Sequence, residues 1–126
     1  MKIKNPPIIS KFGITSMFNV EDRFKNHELL KEYDLRVIFS HWFTKEKANE
    51  LENKYLQTYP KINYDFDLDN FINLDGISEM RYIDESIVNK IRSELYNLKQ
   101  NSDSFQALKE KKQYAVKFYF VQFIKK

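Results

Sequence analysis

A chain of 126 residues, 42% hydrophobic and 16% aromatic, can bury one core but is too short for two domains of ordinary size. It has no cysteine, which excludes disulfides and thiolate metal sites and favours a cytoplasmic setting. No apolar run reaches the length of a membrane span, and the start MKIKNPPII is too short and proline-broken for a signal peptide, so no membrane partner is expected. The net charge of +3 is unevenly spread. Residues 65–85 carry seven acids against Arg81 alone, while residues 109–126 carry six lysines against Glu110. Basic ends suit a phosphate backbone, and they suit a solvated surface equally well.

Pro6-Pro7 stops any early helix and predicts a strand over 8–15. Asn19 is placed to cap a helix with Glu21 and Asp22 in its first turn; Val20, Phe24, His27 and Lys31 share a rough face, and the pattern predicts a helix to about Tyr33. LRVIFSHWF, residues 35–43, predicts a buried strand. Thr44 should cap a helix with Ala48, Leu51, Tyr55 and Leu56 on one stripe, ending before Pro60. Residues 60–75 read as an acidic loop and 77–83 as a short strand. Asp84 then caps a long helix with Ile87, Val88, Ile91, Leu95 and Leu98 along one side. After a polar hinge, YAVKFYFVQFI at 114–124 is apolar on both faces, which predicts a central strand. Alternating strands and helices with a small sheet predict one domain over 1–126, of α/β or α+β class.

Several positions could carry chemistry. Gly13 inside a strand marks a bulge or the close approach of another group, such as a phosphate backbone. Arg23 and His27 are four residues apart, on one face of the predicted helix. That spacing suits an ordinary solvated face, or a phosphate grip beside an imidazole that can move a proton near neutral pH. Glu52 sits between Leu51 and Tyr55 on the apolar side of its helix, where a carboxylate needs a cation, either a salt-bridge partner or Mg²⁺. Asp65, Asp67 and Asp69 resemble a calcium loop, but Asn70 and Gly76 occupy the positions of its glycine and its bidentate acid.

In order, these pieces resemble the GIY-YIG nuclease family, in the phage-type branch with a Lys-Ile-Gly version of the second motif. Lys11-Phe12-Gly13-Ile14-Thr15-Ser16 is similar to that motif, with Lys11 where many members have a tyrosine. Arg23 and His27 match the R-x-x-x-H pattern, Ala48 and Glu52 the Ala-x-x-x-Glu pattern, and Gly76-Ile77-Ser78-Glu79 the Gly-x-Ser/Thr-Glu signature. The family's Gly-Ile-Tyr strand has no counterpart before residue 11. Val116-Lys117-Phe118-Tyr119-Phe120-Val121 resembles it instead, as in a circular permutation opened at an exposed hairpin loop.

The resemblance implies an α+β domain with a small central antiparallel sheet of about three strands, its first motif strand supplied by the carboxy-terminus in cis or exchanged within a dimer. It implies a metal-dependent endonuclease hydrolysing DNA, duplex DNA in particular, in the cytoplasm of a bacterial or phage-infected cell. Glu52 would hold Mg²⁺ or Mn²⁺, Arg23 would neutralise the phosphoryl oxygens, and Tyr119 or His27 would take the water's proton with help from Lys11. Gly13, Ser16 and Lys117 would line the substrate path. The competing expectation is a catalytically idle module of the same fold that binds nucleic acid or a protein partner.

Overall fold

The computed structural model describes residues 2–4, 6–59, 63–65, 80–81 and 83–126, with residues 2–4 and 63–65 as backbone only. In chain order the elements are β1 (Lys2–Lys4), β2 (Ile8–Thr15), α1 (Val20–Phe24), a 3-10 turn (Glu28–Lys31), β3 (Tyr33–Thr44), α2 (Lys45–Thr58), β4 (Asn63–Asp65), β5 (Met80–Arg81), α3 (Glu85–Gln100), α4 (Phe105–Glu110) and β6 (Ala115–Lys125). The main sheet has the order β3-β6-β2-β5 and is antiparallel throughout; β1 and β4 form a separate parallel pair. The class is α+β. The sheet has four strands rather than about three because Met80 and Arg81 add a short edge beside β2.

β6 is central because its side chains are apolar on both sides and need two covers. Val116, Phe118 and Phe120 join Phe12 of β2 and the buried stripe of α2 and α3, namely Ala48, Leu51, Tyr55, Val88, Ile91 and Leu95. Tyr119, Val121 and Phe123 face the other way, against Ile9, Val20, Phe24 and Leu29. Pairing of β6 with β2 runs from Ile8↔Ile124 to Thr15↔Lys117 within one chain. On the other flank, β3 pairs with β6 through a bulge between Val37 and Phe39. An extra residue there reverses which side chains face which layer. Leu35 and Val37 pack on the α1 side, whereas Phe39 and Phe43 pack on the α2 side.

The helix predicted from Asn19 to Tyr33 is interrupted. α1 ends at Phe24, and His27 turns its Nδ1 back to accept a hydrogen bond from the Leu29 N–H at 3.2 Å, capping the 3-10 turn instead of continuing the helix. Thr44 caps α2 as expected, accepting from the Lys47 N–H. Between the polar hinge and β6 lies a helix the pattern does not predict: Ser104 caps six-residue α4 by accepting from the Ala107 N–H at 3.1 Å. Lys112, at φ 55°, then turns the chain into β6. β4 lies within the segment expected to be a loop. Asp67, Asp69 and the Gly76-Ile77-Ser78-Glu79 stretch lie outside the described residues, as does most of the strand expected over 77–83.

Gly13 and Tyr119 are directly opposed across β2 and β6. A Cβ built on Gly13 would lie 2.2 Å from the Tyr119 hydroxyl oxygen and 2.4 Å from its Cζ. The close approach expected at this glycine is therefore the tyrosine ring lying over its backbone. That ring is held edge-on by Phe24, 5.4 Å between centroids, and cannot move aside freely. Gly13→Ala should destabilise the fold by about 1–3 kcal/mol through overpacking. In a Tyr119→Leu background the same change should cost far less, which urea melts of the four-member cycle will measure. Equal costs in both backgrounds would break the link between the two residues.

Candidate nucleic-acid interface

The residues singled out from the sequence fall on two sides of the sheet. Lys11, Gly13, Lys117 and Tyr119 share the side covered by α1, in the paired rows Lys11↔Val121, Gly13↔Tyr119 and Thr15↔Lys117. Arg23 and His27 belong to the segment covering that side. Arg23 is exposed on α1, with its Cζ 5.7 Å from the Phe24 ring centroid, and His27 packs against Phe24 and Phe123. Because α1 stops at Phe24, the two do not share a helix face. Ser16 is exposed just past β2.

Glu52 is on the opposite side. It is half-buried on α2, whose Ala48, Leu51 and Tyr55 pack with Phe12, Phe118 and Phe120, so the sheet stands between that helix and Tyr119. The buried cation in the α2 layer is Arg81, whose Nη2 donates to the Leu56 carbonyl at 3.2 Å. Tyr119 and Lys11 are themselves 2% and 1% exposed beneath Phe24, whose ring centroid is 5.7 Å from the Lys11 Nζ. Glu52 and Tyr119 therefore belong to different layers. Among the described residues no group of three or more His, Cys, Asp or Glu could hold a metal. The arrangement therefore does not fit a Mg²⁺ or Mn²⁺ ion shared by Glu52 and the groups on the α1 side.

What does reach solvent on the α1 side is an aromatic cluster at the end of the sheet where β2 and β3 finish and β6 begins. Phe18 lies edge-on to Trp42 and to Phe105, each 5.2 Å away between centroids; Trp42 and Phe105 are 4.4 Å apart. Lysines are interleaved with the rings. The Lys117 Nζ is 5.4 Å from the Trp42 ring and donates to the Phe18 carbonyl, and the Lys109 Nζ is 5.5 Å from the Phe105 ring. Phe18 remains 63% exposed, while Trp42 and Phe105 are half-buried. Only Lys117 of this set was named from the sequence. The signal that pointed to the rest was the lysine run from 109 onward, because Phe18, Trp42 and Phe105 come from three separate elements with no shared spacing.

A cavity of about 280 Å³ lies behind Trp42, lined also by Thr44, Ser102, Asp103 and Gln113. Three of its polar groups have partners: Thr44 caps α2, Ser102 donates to the Lys99 carbonyl, and Asp103 holds Lys111 at 2.8 Å. Comparison with protein-family models, with curated proteins and with solved structures finds no match for this chain. No helix among the described residues is long and apolar enough to cross a membrane.

His41, next to Trp42, is half-buried, and its Nε2 has no hydrogen-bond partner among the described residues. Burial, and then the charges of Lys99 and Lys117, hold its pKa below the usual 6.5, outweighing an opposing contact with the Asp103 backbone. The unfolded chain takes up this proton near pH 6.5, and the folded protein only at lower pH. Stability should therefore be fully present above pH 6.5 and fall as the pH drops from there towards the folded pKa. His41→Phe should flatten this part of a plot of urea midpoint against pH. An unchanged slope in the variant would assign the acid sensitivity to other groups.

Proposed function

We propose that the protein is a nucleic-acid-binding module that holds phosphates without cutting the chain it binds. The observation that carries this reading is the Phe18–Trp42–Phe105 cluster with Lys117 and Lys109 set over its rings. The exposed Phe18 ring, beside half-buried Trp42 and Phe105, offers surface to bases, and the ammonium groups at the cluster's margin offer charge to phosphates. Exposed Arg23 and Ser16 lie on the same side of the sheet.

The endonuclease implied by the motif order needs a metal carboxylate, a phosphate-gripping arginine and a proton acceptor around one phosphate. Separation of the Glu52 helix from Tyr119 by the sheet favours binding over cleavage, as does the burial of Tyr119 and Lys11. Glu52 is then a structural carboxylate of the α2 layer. The GIY-YIG-like order of residues is read as a fold retained without its turnover.

Binding to DNA should weaken steeply with salt, because lysines that neutralise phosphates release counterions. For about four phosphates, the log–log slope is near −3.6 on duplex and near −2.8 on single strands. A plasmid incubated with the protein and Mg²⁺ or Mn²⁺ should stay supercoiled. Nicking by the parent that is lost in Glu52→Ala would restore the nuclease assignment. Salt-independent binding, or none at low salt, would remove nucleic acid as the partner.

A further inference from the structure

We propose that the Phe18–Trp42–Phe105 cluster is a stacking platform for a single-stranded stretch of nucleic acid. The inference rests on the nucleic-acid-binding reading above and specifies the form of ligand that this surface accepts.

Met17 and Phe18 follow β2 directly and are left 46% and 63% exposed. Large apolar side chains that serve only the core are normally covered, since exposure forgoes roughly 25 cal/mol for each Å² left in water. Here three separate elements each bring one ring to the same spot, and the Phe18 ring still faces solvent. The Lys117 ammonium binds the Phe18 carbonyl and lies over Trp42, which holds the turn and leaves a positive charge beside the rings.

That combination selects among partners. Lysine is depleted in protein–protein interfaces, whereas here Lys117 and Lys109 are interleaved with the aromatic surface. Phosphate is the complementary charge. Within nucleic acids, the bases of a duplex are stacked on each other and show only their edges in the grooves. A protein ring can lie flat on a base only when that base is unstacked, as in single strands, loops and ends. Stacking is tolerant of sequence because every base has a flat face, so the platform should bind with little sequence preference.

Trp42 is the one tryptophan of the chain, so its fluorescence reports on this cluster directly. The probe is an oligothymidylate of about 15 nucleotides, near the upper site size of a single-strand-binding fold. The comparison ligand is a mixed-sequence duplex of similar length. The single strand should bind more tightly and quench Trp42. Phe18→Ala should raise its Kd roughly tenfold with far-ultraviolet circular dichroism unchanged, Phe18→Trp should restore affinity, and duplex binding should weaken several-fold less than single-strand binding. Lys117→Gln should lower the steepness of the single-strand salt slope by about 0.7.

Equal or tighter duplex binding that is insensitive to Phe18→Ala would overturn the platform and leave the broader binding reading standing. Single-strand binding without quenching, or without loss in Phe18→Ala, would overturn it in the same way. Failure to bind either ligand at low salt would remove both proposals. A concentration-dependent dimer abolished by Phe18→Ala would show that a second copy of the chain covers this surface, and would also overturn the platform.

Discussion

Two-sided burial of the last strand is the constraint from which the architecture follows. β6 carries Phe118 and Phe120 on one side and Tyr119, Val121 and Phe123 on the other, all within 2% of full burial. A strand of that kind cannot lie at an edge or cover one layer only, so both flanks and both faces must be supplied by the rest of the chain. β2 and β3 supply the flanks. α2 and α3 cover one face, and the short α1 and its 3-10 turn cover the other. The final strand of the sequence therefore organises elements that are made long before it.

The thinner cover determines what the molecule can do. α1 has five residues and seals its face mainly through Phe24, which meets Tyr119 and Phe123 edge-on and lies over Lys11. Edge-to-face contact of this kind contributes beyond the area it buries. Groups that would otherwise invite chemistry become packing elements there: Tyr119 fills the space left by Gly13, and Lys11 runs beneath a ring. On the thicker side, Gln122 donates to Ser10 across neighbouring strands at 3.2 Å, and Arg81 donates to the Met80 carbonyl and, tying β5 to α2, to the Leu56 carbonyl. The Phe18–Trp42–Phe105 cluster, with Lys117 and Lys109 over its rings, lies at the end of the sheet where β6 begins.

Much of the framework was legible in the chain. Alternation after Pro6-Pro7 marked β2, the two-sided apolar run marked β6 as central, and the stripes behind Thr44 and Asp84 marked α2 and α3. Motif order also pointed to β6 beside β2, and the register places Tyr119 opposite Gly13. The break in the first helix was not legible, because His27 fits a helical stripe and only its hydrogen bond to the Leu29 backbone ends it. α4 was missed because a six-residue helix has too few turns to show a period.

By itself the sequence determined the class of fold, the strand that must be central, the glycine that must admit a neighbour, and the basic character of the chain's ends. These are matters of local pattern and composition. Tertiary structure alone decided which candidates share a site. Period-2 alternation places residues on two faces but does not say which helix covers each face, and so could not separate Glu52 from Tyr119. The bulge between Val37 and Phe39 adds the step that no pattern in β3 announces. Past it, Trp42 turns to the α1 side and meets Lys117 and Phe18, while Phe39 and Phe43 turn to the other. A one-residue change of register exchanges every side chain between faces, so the aromatic surface exists because of a backbone irregularity that only the paired sheet reveals.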